Sequence, residues 1–291
     1  KDKKIQINQF FFEKNYKNKG DFIEKISSEL RHNKNIILDI SNRNFLDGKT
    51  VFKLKKLFMR EYDGKVFIID SPTSGNLSTI LKSNKIKTLI PFDVTNKIKK
   101  ELSFIKDKRI GFKYFIYPSF YLKKKKKIYD IVVSFGGSDN NKGTLYVLKL
   151  LKSLSVKEKI VIVTGKYFTD GYKKKIHSIC KKNYKIISFS NNFSDLLNKS
   201  RYLITNSGLT KYEAISHGLK IAVFSDSKDS QKIDKLFTKK RKQLHFSYLR
   251  NFEIDISKLR KFLEKKITFK FPHQNLLKNN NRLINNFFRY E

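Results

Sequence analysis

Two segments of the chain constrain its fold more than any other feature. The first, residues 131–139, reads IVVSFGGSD, and the second, residues 203–214, reads LITNSGLTKYEA. Each is an apolar β-type run that breaks into small residues and then opens a helix-forming stretch. In doubly wound α/β domains such a unit points backbone N–H groups at an anion. Neither segment matches G-x-G-x-x-G or a Walker A loop, so the pair favours a nucleotide diphosphate over a dinucleotide or ATPase site.

Apolar runs that recur along the chain predict an α/β fold. Most are continuous, which is typical of parallel strands buried on both faces. Helix-forming stretches separate them, as right-handed crossovers between parallel strands require. The predicted strands are residues 35–40, 65–70, 88–91, 114–117, 130–135, 159–164, 185–188, 202–205 and 221–224. The predicted helices are residues 21–32, 50–62, 143–154, 173–181, 195–199 and 209–217.

The chain has 291 residues, which is long enough for two domains of ordinary size. A run of five lysines at residues 123–127 separates two groups of predicted strands. We interpret the run as an exposed linker, with a binding patch as the alternative. The predicted domains are therefore residues 1–122 and 128–268, followed by a C-terminal helix at residues 272–291.

The chain is strongly basic, with 64 lysines and arginines against 26 acidic residues and a formal charge of +38. Such a charge indicates a polyanionic partner: nucleic acid, an anionic membrane surface or a phosphate-bearing substrate. Genome composition is the competing explanation, because the abundant Lys, Asn, Ile, Phe and Tyr have A/T-rich codons and alanine occurs only twice. The basic residues are also scattered instead of forming one arm, so the pattern does not favour nucleic acid.

Cys180 is the single cysteine, which excludes an intramolecular disulfide and a cysteine-based zinc site. A reducing compartment fits this usage. No apolar run approaches the ~18–20 residues of a transmembrane helix, and no signal peptide is visible. We therefore expect a cytoplasmic protein, with peripheral attachment to the inner membrane as an alternative.

Four motifs and one further residue in the second half occur together in a recognisable order: VSFGGSD at 133–139, FSDLL at 193–197, TNSGLTKYE at 205–213, GLK at 218–220, and Gln231. They resemble the C-terminal nucleotide-sugar-binding domain of GT-B enzymes of glycosyltransferase family 28. The most similar branch contains the UDP-sugar hydrolase of pseudaminic acid synthesis and the related spore-coat-polysaccharide proteins. The peptidoglycan N-acetylglucosaminyltransferase is a more distant relative. The resemblance implies a GT-B-like α/β fold of two Rossmann-like, doubly wound domains with parallel sheets.

The resemblance also implies which residues bind the nucleotide-sugar. They are Gly136, Gly137, Ser138, Asn206, Ser207, Gly208, Leu209, Thr210, Glu213 and Gln231. The first loop would face the diphosphate or sugar, and residues 207–210 would open a helix that binds the diphosphate. Glu213 would accept hydrogen bonds from the ribose hydroxyls, and Gln231 would lie beside the sugar or nucleotide. Residue chemistry alone leaves a plain tight turn open for the glycine pair, a helix-dipole partner for Glu213 and ordinary surface for Gln231.

The first half departs from the family. The Gly-x-Gly-His loop near the family's N-terminus, followed by an arginine, is missing, and residues 19–24 read KGDFIE. The hydrolase branch uses that histidine in catalysis and also has an Asp-x-Tyr, of which this chain keeps only Asp39. From the usual domain length we expect the N-terminal domain to lack its first ~40–60 residues. Lys220 stands where the family usually has proline.

Catalytic candidates are few. Asp39 and Asp70 each end a predicted strand, where ligands approach open α/β sheets, although capping the next loop is the alternative. Lys211 is a candidate cation for the leaving diphosphate, with a solvated lysine as the alternative. No D-x-D motif is evident, so we predict neither a metal nor another cofactor.

These observations favour a nucleotide-sugar enzyme of bacterial surface-polysaccharide or nonulosonic-acid biosynthesis. It would hydrolyse a UDP-sugar or transfer its sugar. One alternative is a catalytically inactive homologue that only binds the nucleotide-sugar, and another is a basic protein that binds nucleic acid or a membrane surface. The expected partner is the nucleotide-sugar, with peripheral contact to an anionic membrane and with nucleic acid disfavoured.

Overall fold

The computed structural model describes residues 19–32, 35–39, 48–58, 65–70, 78, 86–115, 125–189, 192–246 and 252–264. The chain divides into two compact units. The first takes in the described residues up to Ile90 together with Asn96–Ile110, and the second takes in Pro91–Thr95 and the described residues from Gly111 onward. The predicted helix at 272–291 lies outside the described residues. Residues 116–124 do too, so the predicted boundary at 122 stays a prediction.

The first unit contains a four-stranded parallel sheet in the order β1-β2-β3-β4. Its strands are β1 Asn35–Asp39, β2 Lys65–Ile69, β3 Ile86–Ile90 and β4 Lys108–Ile110, and its helices are α1 Lys19–His32, α2 Gly48–Lys56 and α3 Asn96–Glu101. Consecutive residues of β2 and β3, including Phe67, Ile68 and Leu89, are buried. This burial on both faces explains the apolar run VFII in β2 and the apolar ends of β3, whose Thr88 is also buried.

The second unit contains a six-stranded parallel sheet in the order β10-β9-β8-β5-β6-β7. Its strands are β5 Tyr129–Ser134, β6 Ile160–Thr164, β7 Tyr184–Ser188, β8 Ser200–Asn206, β9 Lys220–Phe224 and β10 Leu244–Phe246. Its helices are α4 Gly143–Ser153, α5 Asp170–Ile179, α6 Phe193–Asn198, α7 Thr210–Ser216, α8 Lys228–Arg241 and α9 Phe252–Glu264. The chain starts in the middle at β5, builds one half outward to β7, and then returns to β8 to build the other half. This is the doubly wound order of a Rossmann domain.

The core of the second unit lies between the sheet and its helices. Val133 of β5, Ile162 of β6 and Ile204 of β8 are buried with Val147 and Leu151, which lie four residues apart on one face of α4. Helix starts are capped locally: Thr169 accepts a hydrogen bond from the Tyr172 N–H at α5, and Ser227 and Ser230 form a capping box at α8. Among the described residues, no helix is both long and apolar enough to span a membrane.

Most predicted strands are confirmed, with ends that move by one or two residues. The strand predicted at 114–117 is wrong at its start, because Phe112–Tyr114 forms a 3₁₀ turn. Its apolar residues serve packing instead: the rings of Phe112 and Phe115 lie 5.5 and 5.6 Å from the ring of Tyr212 on α7. The sequence pattern did not predict β4 and β10, which have three residues each and lie at sheet edges.

Residues 91–95 belong to the second unit through a charged contact and a ring contact. The Asp93 carboxylate is 4% exposed and pairs with Arg241 at 2.7 Å and with Lys240 at 3.0 Å on α8. The Phe92 ring lies 5.5 Å from the ring of Tyr212. These contacts add to the aromatic packing around α7.

Candidate functional site

The carboxyl ends of β5 and β8 form the topological switch point of the second unit. The two strands are direct neighbours, and Ser134 pairs with Thr205 at their ends. The chain leaves β5 toward one half of the sheet and leaves β8 toward the other, which opens a crevice where ligands of doubly wound folds bind. The two glycine-bearing segments therefore emerge side by side.

The loop after β5 depends on its glycines. Gly136 has φ 77, in the left-handed region that favours glycine. A Cβ at Gly165, after β6, would come within 2.3 Å of the carbonyl oxygens of Gly136 and Gly137, so two backbone segments touch here. The Tyr167 N–H donates to the Gly137 carbonyl at 2.9 Å. The backbone after β6 therefore supports this loop on one side, while Gly136, Gly137 and Ser138 are exposed on the other.

Asp139 occupies the N-terminus of α4. Its carboxylate accepts hydrogen bonds from the N–H groups of Gly143 at 2.7 Å and Thr144 at 2.8 Å, and from the Tyr172 hydroxyl at 2.6 Å. Burial, and then this hydrogen bond to Asp139, raise the pKa of Tyr172. The first helix N-terminus that the sequence offers to a phosphate is therefore filled by the protein's own carboxylate. The exposed loop residues 136–138 remain open to a ligand on this side.

Asn206 joins the two loops. Its side-chain Nδ2 donates to the Phe135 carbonyl at 3.3 Å, and its Oδ1 accepts from the Gly208 N–H at 3.3 Å. Beyond it, Gly208 and Leu209 are exposed, and α7 begins at Thr210. Asn206 thus fixes the spacing between the two loops, which is a role that the sequence pattern alone does not reveal.

Lys211 does not face the crevice. Its side chain is 2% exposed, and its Nζ donates to Asp234 Oδ1 at 2.7 Å and to the Ser207 carbonyl at 2.5 Å. Neither expectation from the sequence, a cation for the leaving diphosphate or a solvated lysine, describes this geometry. A lysine that is buried and paired beneath the loop supports the loop from inside.

Glu213 and Gln231 lie on the helices that follow β8 and β9. Burial raises the pKa of the Glu213 carboxyl, and within the described part of the chain this carboxyl has no hydrogen-bond partner. Gln231 lies in the first turn of α8 and is partly exposed, and its backbone N–H donates to the Ser227 carbonyl at 3.0 Å. Glu213 is half-buried, and a carboxylate that loses part of its water without gaining a donor is costly unless something else supplies one.

The other two catalytic candidates belong to the first unit. Asp39 ends β1 and is exposed. Asp70 is fully buried directly after β2, and its carboxylate accepts hydrogen bonds from the Ser78 N–H at 2.8 Å and the Ser78 hydroxyl at 2.7 Å. This geometry matches the capping alternative for Asp70.

Asp226 is a residue of the crevice edge that the sequence reading missed. It follows β9, its N–H donates to the Ser207 hydroxyl at 3.1 Å, and its carbonyl accepts from Asn141 Nδ2 at 3.2 Å. Burial, and then the nearby Asp234 carboxylate, raise the pKa of Asp226 to about 6. The available signal was its position two residues after an apolar strand, where ligands approach parallel sheets.

Replacing Asp226 with asparagine is expected to stabilise the protein at about pH 7.5 and to leave its stability unchanged at about pH 4. Folding raises the pKa of Asp226 from its ordinary 3.8 to about 6. The stabilising proton is fully bound below the unfolded value and is lost as the pH rises through the folded value. Asparagine carries no charge to bury, so the gain at high pH should be about 2 kcal/mol.

Urea unfolding at both pH values measures this effect. Asp170→Asn is the control, because the Asp170 side chain is 92% exposed and its removal should not shift stability between the two pH values by a comparable amount. If the free energies of unfolding of wild type and Asp226→Asn differ by the same amount at both pH values, the pKa of Asp226 is not raised by folding.

No family model matches the chain. An uncharacterized protein of Methanocaldococcus jannaschii, MJ1062, is 28% identical over 132 residues, which cover 44% of this chain and 27% of that protein. The matching region is thus a small part of the longer relative.

Solved structures with the GT-B fold resemble the chain over most of its length. UGT89C1 of Arabidopsis thaliana is 10% identical, with a TM-score of 0.56 over 92% of this chain and 73% of its own. MurG of Acinetobacter baumannii is 13% identical, with a TM-score of 0.51 over 80% and 73%. A structure of TarM is 12% identical, with a TM-score of 0.51 over 91% of this chain and 54% of TarM. A further TarM structure, from S. aureus, is 13% identical, with the same TM-score. At these identities the likeness shows the fold, and the fold is GT-B.

Proposed function

We propose that the second unit binds a nucleotide-sugar, most simply a UDP-sugar, at the carboxyl ends of β5 and β8. In the same proposal the protein is an enzyme that hydrolyses this compound or transfers its sugar to an acceptor. The observation that carries it is the meeting of two exposed glycine-bearing loops at the switch point of a doubly wound sheet. Glycine loops let the backbone N–H groups approach phosphates closely.

The solved relatives support this ligand class. UGT89C1 has been crystallised with UDP-L-rhamnose, rice Os79 with UDP, and TarM with UDP. All share the GT-B fold with this chain at low sequence identity. We assign the same ligand class to this chain because its own motifs at 133–139 and 205–213 resemble nucleotide-sugar-binding sequences.

Within the proposal, each predicted residue has a physical role. The exposed backbone of residues 136–138 and 206–210 faces the diphosphate. The Glu213 carboxylate accepts hydrogen bonds from the two ribose hydroxyls, which would satisfy a half-buried group that lacks a donor in the described chain. Gln231 lies beside the sugar. Negative charge that develops on the leaving diphosphate is stabilised by backbone N–H groups that are already in place.

UDP is expected to stabilise the wild-type protein specifically. At 100 times its Kd it should add about 2.7 kcal/mol, which corresponds to a rise in Tm of about 5–10 °C. Thermal unfolding with UDP, CMP, GDP, ATP and a short DNA duplex, at low and moderate salt, measures the preference. A shift with DNA alone that fades with salt would overturn the proposal in favour of nucleic-acid binding.

Glu213→Gln is the matched variant for the UDP experiment. The substitution keeps the size of the side chain and removes its charge, so the fold should persist while the affinity for UDP falls about tenfold. Unchanged UDP affinity in this variant would remove the ribose role of Glu213 and leave the site itself standing.

A binding protein without turnover is the second candidate. The observation in its favour is that residues 1–291 contain no Gly-x-Gly-His motif, and that their nearest match, KGDFIE at residues 19–24, has Asp and Glu where histidine and arginine would stand. This candidate predicts UDP-sugar binding by calorimetry and no release of UDP when the complex is incubated. UDP release by the wild-type chain would rule it out.

The proposed setting is surface-polysaccharide or nonulosonic-acid biosynthesis in the cytoplasm. An acceptor linked to a lipid would bring the protein to the anionic face of the inner membrane. The excess of lysine suits such a surface, because each basic residue near anionic headgroups contributes about 1 kcal/mol. Sedimentation with vesicles of anionic and of neutral lipid would test this contact.

A further inference from the structure

A buried polar cluster lies beneath the loop after β8. Its members are Asp234, Lys211, Ser207, Ser225 and His245, which come from α8, α7, the two loops after β8 and β9, and β10. The Asp234 carboxylate is fully buried and accepts three hydrogen bonds: from Lys211 at 2.7 Å, Ser207 at 2.6 Å and Ser225 at 2.8 Å. We call this group the Asp234 cluster.

The hydrogens of the Asp234 cluster can be assigned. Ser225 gives its single hydroxyl proton to Asp234, so it must accept from His245 Nε2, which lies 2.9 Å away. Burial lowers the pKa of His245. The imidazole is therefore neutral near pH 7 and carries its proton on Nε2. Every polar contact around Asp234 is thereby satisfied, as a buried carboxylate requires.

The Asp234 cluster holds Ser207 from both sides. Lys211 Nζ binds the Ser207 carbonyl at 2.5 Å, and the Ser207 hydroxyl donates to Asp234 while it accepts from the Asp226 N–H at 3.1 Å. The Ser207 carbonyl belongs to the same peptide plane as the Gly208 N–H. This N–H donates to Asn206 Oδ1 at 3.3 Å, while Lys211, which the ligand cannot reach, holds the carbonyl on the other side of the same peptide. Together the two contacts fix the direction of the Ser207–Gly208 peptide.

Stability alone does not account for this arrangement. Apolar residues of similar volume usually replace a buried ion pair without loss, and often with a gain. The pair does what an apolar core cannot do, because it fixes the direction of a backbone carbonyl next to an exposed loop. A loop held in its binding geometry before the ligand arrives has less conformational freedom to lose on binding.

We propose that Lys211 and Asp234 are a positioning pair, which fixes the Ser207–Gly208 peptide so that the loop leading into α7 keeps the geometry that binds the diphosphate of the ligand. The proposal rests on the proposed function. Neither side chain touches the ligand, and both act through Ser207. Their removal lowers affinity because the loop must be ordered during binding.

The double variant Lys211→Met/Asp234→Leu tests the pair. It removes both charges and leaves no buried charge unpaired, so its Tm should stay within a few degrees of wild type. Calorimetry with UDP, well below Tm, should give a Kd about tenfold higher than that of wild type. A Kd within about twofold of wild type would overturn the inference. UDP binding by wild type in that case leaves the proposed function intact, whereas a wild type that binds no nucleotide overturns both.

Two further variants complete the test. Ser225→Ala removes one small hydroxyl that holds Asp234 without touching Ser207, so it folds and should weaken UDP binding by a smaller factor of about three. Tyr202→Phe is the control: it removes the hydrogen bond from the Tyr202 hydroxyl to the Leu263 carbonyl at 3.2 Å, toward the other end of β8. Its Kd should equal that of wild type. If Tyr202→Phe weakens UDP binding as much as Ser225→Ala does, the loss of any hydrogen bond in this unit lowers the affinity, and the inference is wrong.

Discussion

Lys211→Met alone is expected to destabilise the protein by about 3–5 kcal/mol, far more than an average substitution. Methionine retains most of the length and packing of the lysine stem but leaves the Asp234 carboxylate, which is fully buried, without its cation. The two serine hydroxyls that remain on Asp234 cannot neutralise its charge. Equilibrium urea unfolding followed by far-ultraviolet circular dichroism measures the loss.

Lys232→Met is the matched control for this loss. Lys232 is exposed on α8, so the same substitution there should change stability by no more than about 0.5 kcal/mol. The double variant with Asp234→Leu should recover most of the stability that Lys211→Met loses. A cost below about 1 kcal/mol for Lys211→Met would mean that the buried ion pair does not form.

The burial of Lys211 shows why its position could not be read from the sequence. A surface helix places its charged residues on the face away from the core. The short helix α7, however, is covered almost all round: Lys211, Tyr212, Ala214, Ile215 and Ser216 are all buried. The sequence places a lysine on a helix but does not say that a carboxylate from α8, two elements later, meets it. Only the sheet order brings those two helices together.

The fold itself was largely predictable, for a local reason. Parallel strands that are buried on both faces must be apolar throughout, and β5, β6 and β9 show this in the chain as uninterrupted runs. The order of the strands was not predictable, because β5 pairs directly with β8 although β6 and β7 lie between them in the sequence. The two glycine motifs gave an indirect signal, since one ligand can use both loops only if the loops are neighbours.

The sequence also does not show what occupies the N-terminus of α4, because that too depends on contacts between separate elements. The pattern GGSD followed by a helix is compatible with a helix N-terminus that binds an external phosphate and with one that binds an internal carboxylate. The structure shows the second arrangement for Asp139. The available signal was Asp139 itself, a carboxylate four residues before the first residue of α4, because negative charge is favoured near a helix N-terminus.

Asp139→Ala is expected to destabilise the protein by about 3 kcal/mol. The carboxylate accepts two backbone hydrogen bonds at the start of α4 and one from Tyr172 on α5, and it is 7% exposed. Without it, all three donors lose a charged acceptor in a place that water reaches poorly, and such bonds are worth about 1.5–3 kcal/mol each before the remaining donors find other partners. Helix α4 contributes Val147, Leu148 and Leu151 to the core, so its loosening affects the whole second unit. Urea unfolding at neutral pH gives the value.

Two variants make the result specific to Asp139. Asp139→Asn keeps one oxygen that can accept from a helix N–H but turns an NH2 group toward the other N–H, so it should lose about half as much as Asp139→Ala. Tyr172→Phe removes the third donor while the helix cap stays in place, and it should also lose about 1 kcal/mol. If Asp139→Ala were no less stable than Asp139→Asn, the N–H groups of Gly143 and Thr144 would not depend on this carboxylate. The helix N-terminus would then be open to a phosphate, as the sequence pattern first indicated.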